Sequence, residues 1–124
     1  MKIKTAEATG LQLDWGLAKA TGKRVRYYLE YNALAFDDCE DNLYLFSHTD
    51  PAVCMGLIEQ NGIASTRKTF SLGYFWECKI LDVGSESHYI VAHGSTPAEA
   101  VARCVIAMRL GDEFEVPDEL GVQS

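Results

Sequence analysis

Apolar positions along the chain switch between two periods. In GLQLDWGLAKA, residues 10–20, Leu11, Leu13, Trp15, Leu17, Ala18 and Ala20 cover more than one narrow stripe. That breadth predicts a helix packed on a wide surface. Thr9 stands where its hydroxyl can cap this helix, and Gly22 where the helix can close. In RVRYYLEY, Val25, Tyr27, Leu29 and Tyr31 alternate with Arg24, Arg26, Tyr28 and Glu30, the period of a half-exposed strand. DDCED, 37–41, reads as a polar loop, and NLYLF, 42–46, as a short strand.

The stretch LFSHTDPAVCMGLIEQNG, residues 45–62, then places Asp50 before Pro51, an N-cap followed by a first-turn proline. A helix follows through Ala52, Val53, Met55, Gly56, Leu57 and Ile58 and ends at Gly62. Tyr74, Trp76, Cys78 and Ile80 alternate with Phe75, Glu77, Lys79 and Leu81. After the turn DVGSES comes HYIVAH, so residues 74–93 predict a β-hairpin. The last helix is the best marked. Thr96, Pro97 and Glu99 make a Thr-x-x-Glu capping box, Val101, Cys104, Val105 and Met108 the buried face, and Gly111 the exit. Phe114 and Val116 can dock back from the acidic tail.

The order helix, strand, strand, helix, strand, strand, helix implies an α+β fold. Its antiparallel sheet has about four strands with helices packed on it, and a three-layer α/β/α sandwich is one arrangement the order allows. The 124 residues suit a single domain, 1–124, with 118–124 as a loose tail. No apolar run is long enough to span a bilayer, and MKIKTAEATG lacks the apolar core of a secretory signal, so a cytoplasmic location is expected.

The net charge of −7 argues against a general nucleic-acid binder, because neutralising phosphates demands an excess of Lys and Arg. An acidic chain can instead meet a basic protein surface, or the charge can simply keep it soluble. Cys39, Cys54, Cys78 and Cys104 are far apart with no C-x-x-C, and Cys78 and Cys104 sit in apolar patterns, which suggests buried thiols.

Few residues suggest chemistry. Cys39, His48, Asp50 and Cys54 lack the second ligand pair a zinc site needs, so no metal or other cofactor is called for. His88 and His93 are five apart and would face opposite sides of a strand. The carboxylate pairs Asp37–Asp38 and Asp112–Glu113 read as solvated loops. No P-loop, nucleophile elbow or dinucleotide-binding glycine pattern is present. Trp15, Tyr27, Tyr28, Tyr74 and Trp76, with Arg24 and Arg26, could form a stacking pocket for a nucleotide, including one between two copies of the chain; core packing is the alternative for each.

Several segments resemble one family. They are MKIKTAEATGLQLDW, FSHTDPAVCMGLIEQNGI, a Trp-containing strand and GSTPAEAVARCVIAMRLGDEFEVPDEL. Together they are similar to the NinX-like family of small bacteriophage proteins. The positions that match are Lys4, Thr5, Glu7, Thr9, Gly10, Leu13, Asp14 and Trp15 in the opening and Ser47, Thr49, Asp50, Ile58, Glu59 and Trp76 in the middle. At the end they are Leu110, Gly111, Asp112, Glu113, Glu115, Val116 and Pro117. His48 is an insertion between Ser47 and Thr49, and Pro51 stands where the family has tryptophan. More loosely, the chain is similar to phage domains described as α/β/α sandwiches.

The resemblance implies a phage or prophage origin and a cytoplasmic accessory role, with no known activity. It leads to a non-catalytic protein that binds, and inhibits or sequesters, a host factor, either a host protein or a nucleotide signal. Trp15, Arg24, Arg26, Ser47, Thr49, Asp50 and Trp76 are its candidate ligand-binding residues. The alternatives are a small nucleotide-processing enzyme using Asp50 or His48, and a weak nucleic-acid binder acting through Lys23, Arg24 and Arg26.

Overall fold

Two prolines, each preceded by a side chain that accepts a backbone hydrogen bond, start two of the three α-helices among the described residues. In the computed structural model, which describes residues 1–29, 31–36, 45–81 and 89–120, the helices are α1 (Leu11–Ala20), α2 (Pro51–Asn61) and α3 (Pro97–Leu110). Asp50 Oδ1 accepts from the Ala52 N–H at 3.0 Å, and Thr96 Oγ1 from the Glu99 N–H at 3.1 Å. Glu99 reaches back to the Ser95 N–H at 3.2 Å, one residue before the Thr96 cap, so the Thr96 half of the expected capping box forms and the Glu99 half is displaced by one residue. Gly62, at φ +63°, closes α2 as a left-handed cap, and Gly111 ends α3. The start of α1 differs from expectation. Gly10, at φ +53°, is its N-cap and sets Thr9 outside the helix, where the Thr9 hydroxyl caps nothing. Instead the Thr9 N–H donates to Gln12 Oε1.

Among the described residues, eight strands form three antiparallel sheets. These pair β1 (Lys2–Lys4) with β8 (Glu113–Glu115), β2 (Val25–Tyr28) with β3 (Ala33–Phe36) and β4 (Leu45–Phe46), and β5 (Ala64–Phe70) with β6 (Gly73–Leu81) and β7 (Tyr89–Gly94). The α+β class and the antiparallel pairing stand, as does the 74–93 hairpin in β6 and β7. The strands are spread over three small sheets rather than one sheet of about four.

The period-two run at 24–31 is only half strand. The chain turns after Tyr28, with Asn32 at φ +46°, and β3 returns along β2. Leu29 and Tyr31 therefore lie exposed in a turn. The loop expected at 37–41, the first residues of NLYLF, the turn at 82–87, His88, Cys39 and the last four residues lie outside the described residues.

Alternation in the β5–β7 sheet gives it one dry face. Trp76, Cys78, Ile80, Ile90, Ala92 and Gly94 share that face, and α3 packs on it through Val101, Cys104 and Val105. Gly94 sits so close that a Cβ there would lie 2.6 Å from the Ala100 backbone nitrogen. The other face carries exposed Lys79, Val91 and His93; no described helix covers it, whereas a three-layer sandwich needs helices on both faces.

On its far side α3 meets α1, where Gly16 lets Phe114 and Ile106 approach. Both ends of the chain are stapled there. The Thr5 hydroxyl donates to the Gly111 carbonyl at 2.7 Å, Gln12 Nε2 to the Leu120 carbonyl at 3.0 Å and Trp15 Nε1 to the Glu115 carbonyl at 3.1 Å. Leu120 is fully buried, so residues 118–120 form a docked 3-10 turn and not a loose tail.

Candidate functional site

Among the candidate residues, His48 lies in the centre of an internal junction. Asp14 belongs to the buried face of α1, and its Oδ1 accepts from the His48 backbone N–H at 2.7 Å and lies 2.6 Å from His48 Nδ1. Both side chains are more than nine-tenths buried. An ionised Asp14 selects the tautomer in which Nδ1 carries the proton, leaving Nε2 as the ring nitrogen away from the carboxylate. The pair locks the segment before α2 onto α1. Sequence reasoning singled out His48 but missed this partner. The available signal was Asp14 itself, an acidic residue between Leu13 and Trp15 on a helix that is apolar around it.

The flanking polar residues bond locally. Ser47 Oγ and Thr49 Oγ1 are 2.7 Å apart, Ser47 Oγ also accepts from the Thr49 N–H at 3.2 Å, and Asp50 caps α2. Ser47, Thr49 and Asp50 thus shape the turn into the helix.

The aromatic and Arg candidates are dispersed. Trp15 is tied to β8 through its indole N–H, and Lys19 Nζ lies 4.9 Å from its ring centroid. Trp76 sits between Arg67 and Gly94 in the β5–β7 sheet. Arg24 and Arg26 are exposed on and beside β2, with Lys23 nearby, and the Tyr27 hydroxyl donates to Asn32 Oδ1. Trp15, Trp76 and the 47–50 segment share no wall of the cleft beside β7 and α3.

That cleft, of about 400 Å³, lies between β7, α3 and the first residues of the chain. Arg103 lies at its edge with its guanidinium engaged by the fold. Nε and one Nη donate to the Ala8 carbonyl, the other Nη donates to the His93 carbonyl at 2.8 Å and also pairs with Glu99 at 2.9 Å. Lys4, Asp112 and Glu113 line the cleft together, Lys4 pairing with Glu113 in the β1–β8 ladder, so its charges are mixed and no clamp for a phosphate is assembled.

On the open sheet face His93 Nε2 lies 3.1 Å from Glu77 Oε2. That hydrogen bond, with Lys68 and Lys79 nearby, holds the Glu77 carboxyl below its ordinary value against partial desolvation. Burial raises the thiols of Cys54, Cys78 and Cys104, the last to about 12, which keeps them protonated and unreactive. Cys78 and Cys104 are fully buried, as their apolar patterns implied. Among the described residues no three His, Cys, Asp or Glu are placed to hold a metal ion, and no helix is long and apolar enough to cross a membrane.

The most conspicuous surface lies elsewhere, at the tip of the β5–β6 hairpin. Phe70, Leu72 and Tyr74 are 53%, 92% and 56% exposed there, and every residue of β5 is exposed. Beyond Trp76, which pairs with Gly94 at the end of β7, the hairpin continues as two strands among the described residues. Of these three, the sequence reading singles out only Tyr74, as a stacking or core residue. No protein-family model matches the chain, and no curated protein matches it.

Proposed function

We propose that this is a non-catalytic binding protein that engages a host protein, in the cytoplasm of a bacterium carrying the phage or prophage, and blocks or sequesters it. The observation that carries this reading is the hairpin tip, where three large apolar side chains stand in water within five residues. Exposed apolar clusters on an arm cost solvation energy, and they characterise surfaces that become buried against a partner. The non-catalytic part is supported by how the candidate acid–base groups are used: His48 is inside the Asp14 junction, Asp50 caps a helix and His93 pairs with Glu77. The phage setting rests on the resemblance of the terminal and middle segments to the NinX-like family.

The test places a photo-crosslinking residue at position 72 in the full chain, expressed in the host bacterium. One host protein should be trapped, and the double variant Phe70→Ser, Leu72→Ser should stop the same protein from co-purifying while leaving the thermal unfolding midpoint in place. No crosslinked host protein, or co-purification unchanged by the double variant, would overturn the reading.

A further inference from the structure

The hairpin has a second feature besides its apolar tip: β5 is an edge strand. Among the described residues it pairs only with β6, so one full side of its backbone is open along seven residues. Ser71 and Leu72 form a two-residue connection, which makes Phe70 and Gly73 a mutually hydrogen-bonded pair. Antiparallel ladders alternate, so Lys68, Thr66 and Ala64 also bond inward to β6. The N–H and C=O groups of Ser65, Arg67 and Thr69 therefore point to the open edge. Edges of this kind accept an added strand unless something prevents it.

Charge decides which strand. Residues 64–81 hold Arg67, Lys68 and Lys79 against Glu77 alone, a net +2 on a chain whose total is −7. Arg67 and Lys68 are adjacent, so they project from opposite faces of the strand. A second copy adding its own β5 antiparallel about the centre would set Arg67 against Arg67. Shifting by two residues toward the tip, the next register in which the open groups of both strands face, sets Lys68 against Lys68. Directly opposed like charges are destabilising in a sheet, so the edge disfavours itself in both registers. An incoming strand with adjacent carboxylates would meet both cations, one on each face.

We infer that β5 is a strand-addition site for an acidic, extended segment of the partner protein, held by the open backbone of Ser65, Arg67 and Thr69 and selected by Arg67 and Lys68. This rests on the binding reading above, with Phe70, Leu72 and Tyr74 gripping the same partner beside the added strand.

The experiment uses the full chain and a capped peptide, Thr-Val-Thr-Glu-Glu-Val-Thr, with a control carrying lysines in place of the glutamates. Amide exchange followed by NMR should show the N–H groups of Ser65, Arg67 and Thr69 slowed by the acidic peptide and not by the control. The variant Arg67→Glu, Lys68→Glu should weaken the acidic peptide roughly tenfold and favour the lysine peptide. Thr69→Pro removes one outward N–H while keeping the ladder to β6, and should weaken binding without altering charge preference. Equal binding of both peptides, no protection at millimolar peptide, or protection that grows with protein concentration alone would overturn the assignment. A host protein still trapped from position 72 in the Arg67→Glu, Lys68→Glu variant would leave the binding function standing and remove only the edge.

Discussion

Asp14 Oδ1 holds His48 at two points, its backbone N–H and its Nδ1, and so joins residues 34 positions apart inside the core. One residue belongs to a helix and the other to the turn that starts the next. Their contact sets how α2 approaches α1. In Asp14→Ala the buried His48 N–H and ring nitrogen lose their acceptor, which predicts a loss of roughly 2–5 kcal/mol in urea unfolding. Asp14→Asn should lose less, since an amide oxygen can still accept one of the two bonds. A double-mutant cycle with His48→Ala should show strong coupling; additive losses would mean that the pair is not the lock described above.

Two glycines test the packing around α3. A Cβ at position 94 meets the backbone of Ala100, and a Cβ at position 16 meets side-chain atoms of Phe114 and Ile106 at 2.7–2.9 Å. Side chains can shift and backbone in a capped helix start cannot. Gly16→Ala also gains helix propensity of up to about 1 kcal/mol. Gly94→Ala should therefore destabilise the protein by roughly 1–3 kcal/mol and by more than Gly16→Ala does. Thermal or urea unfolding of both variants gives the order, and the reverse order would refute the packing account.

The Glu77–His93 contact gives a signed pH dependence. The Glu77 carboxyl lies below the ordinary 4.5, chiefly through its hydrogen bond to His93. A depressed carboxyl binds protons less readily when folded than when unfolded. Its contribution to stability is therefore complete above about pH 4.5 and is lost as pH falls through the folded midpoint. Carboxyl carbon NMR should place the Glu77 midpoint below 4.5, and His93→Ala should raise it. A midpoint unmoved by that substitution would show that the hydrogen bond is not its main cause.

Much of the candidate site was legible as helix chemistry. Asp50–Pro51 and Thr96–Pro97 carry their caps in local sequence, because a cap requires only neighbours two or three residues away. The alternation at 74–80 and 90–92 likewise sorts the dry face of a sheet from the wet one. Trp15 and Trp76 do not meet within one chain, because one lies on α1 and the other on β6.

Local sequence therefore determined where α2 and α3 begin and end, which face of α3 is buried, that residues 74–93 form a hairpin and that the class is α+β. Tertiary structure alone decided that Asp14 faces His48, that Thr5, Gln12 and Trp15 staple the two ends of the chain, and that β3 follows directly on β2. It also decided that Phe70, Leu72 and Tyr74 stand in solvent. The physical reason is range. Caps and alternation are satisfied within a few residues, whereas burial and long-range hydrogen bonds depend on which distant elements arrive. An apolar residue in a strand reads the same whether α3 covers it or water does.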